Sequence, residues 1–165
     1  MKKKTWYALY TKSRHERKVT DELEKKGITA YLPLIRTLRQ WSDRKKKVEI
    51  PLISSYVFVN VNNKEYYDVL SIYGAVCYVT FEGKAAPIRA SQIEVLKKAV
   101  DGNMSVERVD KCLKKGQKVK IISGPLKGCT GEYVKTKKKS NFVINMDNVG
   151  LIFKVEINAD DVIKI

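Results

Sequence analysis

The chain has 165 residues, 44% of them hydrophobic, and carries 33 Lys and Arg against 18 Asp and Glu, a net charge of +15. That apolar content builds cores rather than a disordered chain, the length allows one large or two small domains, and the charge directs the chain towards polyanions, nucleic acid first. One His and three widely spaced Cys (Cys77, Cys112, Cys129) exclude a disulfide framework and a zinc site, predict no metal and no cofactor, and fit a reducing cytoplasm. No run approaches the roughly twenty apolar residues that span a bilayer, and the apolar stretch after Met1-Lys2-Lys3-Lys4 is too short for a signal peptide, so no membrane segment is expected.

The β-branched and aromatic run 5–11 predicts a central strand. Ser13 and Glu16 have capping-box spacing, Val19 and Leu23 share one face, and Gly27 suits the residue after a helix, so a helix follows. A strand over 28–32 ends at Pro33. Residues 34–50 read as a hairpin in which Ile35, Thr37 and Leu38 lead up to Trp41, Ser42-Asp43 turn the chain, and Arg44-Lys45-Lys46-Lys47 lead back into Val48 and Ile50. Cations packed this closely repel one another unless an anion sits nearby, which predicts a nucleic-acid or acidic-protein contact. Residues 51–61 form the most apolar strand, and Asn62 caps a short helix through Glu65 that ends near Gly74. Then come a strand over 76–81, a turn at Glu82-Gly83, an extended Pro87-Ile88, and a helix opened by Ser91 and Glu94 that reaches Val100. The order β-α-β-β-α-β-α predicts a ferredoxin-like α/β sandwich with an inserted hairpin. The polar, aperiodic run after Asp101 reads as a linker.

Beyond it, Val119 and Ile121 alternate with basic residues as in a strand buried on one face. Gly124-Pro125 breaks the run, strands follow over 129–135, 142–146 and 151–157 with turns at 137–141 and 147–150, and 162–165 is a short fifth. Five short strands rich in Val and Ile predict a small closed barrel.

The stretch 119–131, with Gly124, Pro125, Gly128 and Gly131, resembles a KOW motif. Together with a Trp-Tyr strand leading into a helix, an apolar strand ending Tyr56-Val57-Phe58-Val59 and a Pro-Ile before a last helix, it makes nearly the whole chain similar to the NusG family. The opening WYALYTK and the basic hairpin look more like the specialised paralogues of the RfaH and UpxY type than like housekeeping members. The resemblance implies an α+β chain in which residues 1–102 are an NGN domain, 103–111 a linker and 112–165 an SH3-like, five-stranded KOW barrel.

What the resemblance implies for function is a monomeric, cytoplasmic transcription elongation and antitermination factor without catalytic chemistry. Its N-terminal domain binds the clamp helices of the RNA polymerase β′ subunit and approaches the β gate loop, and so suppresses pausing or termination. The positions that match the polymerase-binding patch are Tyr10, Ile53, Tyr56, Phe58 and Phe81, with Tyr66 and Tyr67 as gate-loop candidates. Lys12, Arg14 and His15 match the contact region for the non-template DNA strand. Tyr73 replaces a basic residue there and is suited to stacking on an unpaired base. Arg44, Lys45, Lys46 and Lys47 join them as candidate contacts to DNA or nascent RNA. The barrel implies recruitment of a small-subunit ribosomal protein or of Rho, although Cys129 stands where the family often has a large aromatic residue, and Ser54-Ser55 replace a usual Pro-Gly. The Val- and Ile-rich C-terminal run, broken by Asn148 and Gly150, favours the barrel over a helical alternative. The competing reading is a ribosomal-type RNA-binding protein that acts without polymerase. An enzyme is not expected, because the chain lacks a phosphate-cradling loop, a Ser/His/Asp set and metal-ligand spacing.

Overall fold

The computed structural model describes residues 2–110, 116–136 and 139–165, which belong to two compact units, Met1–Arg89 and Ala90–Ile165. Cys112 and the Lys137-Lys138 part of the expected turn lie outside the described residues.

The first unit contains β1 (Thr5–Thr11), α1 (Glu16–Lys25), β2 (Thr29–Tyr31), β3 (Leu34–Gln40), β4 (Lys45–Pro51), β5 (Tyr56–Val61), α2 (Asn63–Leu70), β6 (Ala75–Tyr78), β7 (Thr80–Phe81) and β8 (Lys84–Ala85). Its main sheet has the order β2-β5-β1-β6 with every pair antiparallel, the ferredoxin-like order expected, and β3–β4 stand apart as a two-stranded arm between its second and third strands. Alternation along β1 and β5 sends Leu9, Val57, Val59 and Val61 to one face, where they meet Val19 and Leu23 of α1 and Val69 of α2 in a continuous core. Tyr78 closes that core. Its ring stacks on Tyr66 at 4.2 Å between centroids, its hydroxyl donates to the Tyr66 carbonyl at 2.8 Å, and burial raises its phenol well above the ordinary tyrosine range.

The α2 capping box forms as its sequence suggests. The Asn62 side-chain oxygen accepts from the backbone N–H groups of Lys64 and Glu65, and the Glu65 carboxylate accepts from the Asn62 N–H at 3.0 Å. That backbone bond, helped by Lys4, holds the Glu65 carboxyl below its ordinary value. The α1 box does not form. Arg14 takes a left-handed conformation (φ 61°), the helix starts at Glu16 behind His15, and no side chain caps it. The strand expected over 76–81 breaks at Val79, whose N–H donates to the Ala8 carbonyl, and the chain continues as the β7–β8 hairpin turned by Glu82-Gly83, both at positive φ.

The second unit contains α3 (Ala90–Asp101), β9 (Val106–Arg108), β10 (Gln117–Ile121), β11 (Thr130–Lys135), β12 (Ser140–Met146), β13 (Leu151–Ile157) and β14 (Val162–Lys164). The sheet order β14-β10-β11-β12-β13-β9 brings the last strand back to pair with β10. The five expected strands are present. Val106–Arg108, within the stretch read as a linker, pairs with β13, and compactness divides the chain at Arg89/Ala90 rather than near residue 102. α3 begins at Ala90, so Ser91 lies inside its first turn, and the Gln92 side chain donates to the Asn145 carbonyl on β12. β12 begins at Ser140, so the last two residues of the expected turn, Ser140 and Asn141, belong to the strand.

Between β10 and β11 the chain folds back over the buried Leu126, with Gly124 and Gly128 in the left-handed region and Pro125 beside them. Gly131 has a different role. It pairs with Val119, and a Cβ there would lie 2.5 Å from Cζ of the buried Phe142. Gly131→Ala should therefore lower stability by about 1 to 3 kcal/mol through overpacking, read as a lower urea midpoint for the C-terminal unit.

Candidate functional site

The end of β1 is where the predicted residues converge. Tyr10 is opposite Tyr56 on β5 and Cys77 on β6, so the three form one row across the sheet on the face away from Leu9. The Tyr10 and Tyr56 rings meet edge to face with centroids 4.9 Å apart, and Tyr10 is 42% exposed. The register then slips, with Thr11 opposite Ala75, which leaves Val76 as an extra, exposed residue of β6. Phe81 on β7 is also exposed.

Two expected members of the patch are elsewhere. Phe58 is fully buried with its ring stacked on Tyr31, and Ile53 is buried in the turn before β5. Both are packing residues: Phe58 lies on the same sheet face as Tyr56 but further along the strand, opposite Tyr31 of β2, whose ring covers it, and the turn before β5 encloses Ile53. Of the gate-loop candidates, Tyr66 is packed between Tyr7 and Tyr78, while Tyr67 is exposed and its ring stands at a steep angle to that of Tyr66.

Immediately after Tyr10, the strand–helix junction gathers a second group. The Lys12 N–H donates to the Gly74 carbonyl at 2.8 Å, which brings the Lys12 ammonium 4.5 Å from the centre of the Tyr73 ring. His15 meets the same ring edge-on at 5.6 Å, and its Nδ1 is 2.9 Å from the Ser13 carbonyl. Tyr73 is 76% exposed, so one of its surfaces remains open. Gly74 makes this approach possible: its φ is +99°, and a Cβ would lie 3.0 Å from Val19 Cγ2 and 3.1 Å from His15 Cβ. Arg14 is exposed beside them. Lys12, His15 and Tyr73 are thus one cluster, whereas Arg44, Lys45, Lys46 and Lys47 are carried by the separate β3–β4 arm.

A link that sequence reasoning missed holds the two groups in place. The buried Glu16 accepts at 2.7 Å from the N–H of Ser55, which stands at φ 65°, and the Ser55 carbonyl accepts from the Thr11 N–H at 2.9 Å. Glu16 therefore fastens the helix start to the turn that delivers Tyr56, and it supports a serine where glycine would sit without strain. The capping-box spacing pointed to Glu16 but to the wrong partner. Among the described residues, no group of three or more His, Cys, Asp or Glu side chains is placed to hold a metal ion.

A family model described as "NusG: Transcription termination factor nusG" matches residues 4–97. The chain belongs to the NusG family. Members of this family are transcription factors without catalytic activity, and the role that membership supports for this chain is that of a transcription elongation factor. Among solved structures, one described as "Domain interaction in Thermotoga maritima NusG" is 23% identical, covers 99% of this chain and 98% of its own, and superimposes with a TM-score of 0.51. Two conformations of the MjSpt4:Spt5 complex are 17% and 15% identical; the first covers 97% of this chain and 96% of its own with a TM-score of 0.32, the second 97% of each with 0.31. No curated protein matches the chain. No described helix is long and apolar enough to cross a membrane.

The Glu16 link carries a direct test. Glu16→Ala should cost about 1 to 3 kcal/mol, because the Ser55 N–H loses a charged acceptor, and Glu16→Gln, which keeps an acceptor oxygen, should cost less. Urea unfolding of the three proteins ranks them.

Proposed function

We propose that this chain, as a NusG-family elongation factor, binds RNA polymerase through the row of the exposed Tyr10 and the half-buried Tyr56, with the exposed Phe81 beyond it, and touches the non-template DNA strand through Lys12, Arg14, His15 and Tyr73. The observation that carries the reading is adjacency. An apolar row and a cationic, aromatic cluster stand one residue apart on the same strand end, so a protein contact and a nucleic-acid contact are made by one rigid element.

The two groups suit different partners. Aromatic side chains presented in an edge-to-face pair lose little conformational freedom on burial and are the residue type that anchors protein interfaces. Lys12 on one side of Tyr73 leaves a ring already polarised by a cation and an open surface for an unpaired base, with the ammonium in reach of its phosphate. Tyr67 is the remaining candidate for the gate loop. In this reading residues 1–102 act as the polymerase-binding domain, residues 112–165 as a KOW domain that recruits a partner such as a small-subunit ribosomal protein, and the factor works as a monomer in the cytoplasm. It suppresses pausing or termination, and the aromatic WYALYTK opening with the basic arm favours a specialised, operon-specific paralogue over a housekeeping one.

Binding of the purified protein to a reconstituted elongation complex, and to the same nucleic-acid scaffold without polymerase, tests this. Tyr10→Ala and Tyr56→Ala should each weaken binding to the complex by about 1 to 3 kcal/mol and leave scaffold binding unchanged. Phe58→Ala should instead lose about 3 to 5 kcal/mol of folding stability. Equal affinity of all the folded proteins for complex and scaffold, fading together with salt, would favour the ribosomal-type RNA-binding reading.

A further inference from the structure

The β3–β4 arm has no core of its own. Its strands are paired over their full length, from Leu34 opposite Pro51 to Gln40 opposite Lys45, and Trp41 and Arg44 close the turn through the Trp41 N–H and the Arg44 carbonyl at 2.8 Å. At about 3.4 Å per residue, seven paired residues make a ribbon roughly 24 Å long. From residue 38 to residue 47 every residue is solvent-exposed, and the set includes Leu38 at 62% and Trp41 at 57%.

The charges on this ribbon are arranged on both faces. Arg39 is directly opposite Lys46, with Trp41 and Arg44 next along the same face, and Lys45 and Lys47 lie on the other face opposite Gln40 and Leu38. Like charges directly opposite each other destabilise a two-stranded pair. Among the described residues, Arg36, nearer the base, has a carboxylate partner, Glu49, which also receives Arg17 of α1, whereas Arg39, Arg44, Lys45, Lys46 and Lys47 have none. A ribbon that is anchored at its base, unsupported at its end, and cationic on both faces matches a binding partner that has negative walls on two sides.

We infer that the β3–β4 arm enters a groove of double-stranded DNA, with Arg39, Arg44 and Lys46 on one face and Lys45 and Lys47 on the other lying against opposite phosphate walls, and Trp41 at the leading end. The major groove of B-form DNA, about 12 Å wide, admits a two-stranded ribbon. A single strand offers phosphates on one side only and would leave half of these cations unneutralised. The inference rests on the nucleic-acid reading of Arg44 to Lys47 and is independent of polymerase binding and of the Lys12–Tyr73 cluster.

The test uses the whole chain with a labelled 20-base-pair DNA duplex and, separately, one of its strands, titrated over a series of salt concentrations. Two double variants remove equal charge, Arg39→Gln with Lys46→Gln on the arm, and Lys118→Gln with Lys120→Gln on β10. Each phosphate contact contributes about 0.9 to the slope of log affinity against log salt on duplex DNA. The arm variant should therefore flatten the duplex slope by nearly 2, and the β10 variant by less than half as much. Trp41 supplies a readout that needs no variant, because Trp6, the other of the two tryptophans, is buried. Duplex should protect Trp41 fluorescence from acrylamide, and the single strand should protect it less. Equal slopes for the two double variants, unchanged quenching on adding duplex, or stronger protection by the single strand would each overturn the inference while leaving the polymerase contact to its own assay.

Discussion

Pairing of β1 along both of its edges is the constraint on which the site depends. Hydrogen-bonded to β5 on one side and β6 on the other, β1 has no freedom to rotate or slip, because a shift of one residue would expose Leu9 and bury Tyr10. The bulge at Thr11 then ends that regularity at a defined point, and the bonds from Thr11 to Ser55 and from Lys12 to Gly74 tie the exit of the strand to both neighbouring loops. Tyr10 and Lys12 are delivered to two different surroundings within three residues. A sheet core is thereby converted into a surface with an apolar part and a cationic part whose separation is set by backbone geometry.

Strained backbone stands on both sides of that strand exit. Arg14 and Ser55 both adopt positive φ without being glycine, and each adjoins the junction. Such positions persist only when their surroundings hold them. For Ser55 the holder is the Glu16 carboxylate, so the same side chain that begins α1 also shapes the turn before β5. On the other side, Gly74 is required by contact, since Val19 and His15 stand where a side chain would go. One loop is held by an acceptor and the other by an absence of atoms.

Much of the fold was legible in the residues. The β-branched and aromatic run 5–11, the apolar run 51–61, the Asn62 and Glu65 pair, and the glycine-punctuated Val and Ile runs after residue 117 each correspond to an observed element, because side-chain type, cap chemistry and turn residues are local properties. The site was legible only by half. Tyr10, Lys12, His15 and Tyr73 stand together, but Phe58, on the same face of β5 as Tyr56 and two residues further along, is buried, since how much of that face is covered depends on Tyr31 of β2 and other residues far away in the chain. The Glu16–Ser55 bond spans 39 residues, and the opposition of Cys77 to Tyr10 follows from a register that no single strand contains. Strand β9 was read as linker because three residues with two charges lack any periodic signal, and their pairing with β13 is imposed by that strand's free edge.

The most direct measurement of the central claim is photo-crosslinking from two positions in a reconstituted elongation complex, with a benzophenone side chain placed at Tyr10 in one protein and at Tyr73 in the other. The account predicts that Tyr10 crosslinks to a polymerase subunit and Tyr73 to the non-template DNA strand, since the two side chains belong to separate surfaces of one strand end. Crosslinks from both positions to nucleic acid alone, or from neither to the complex, would contradict it.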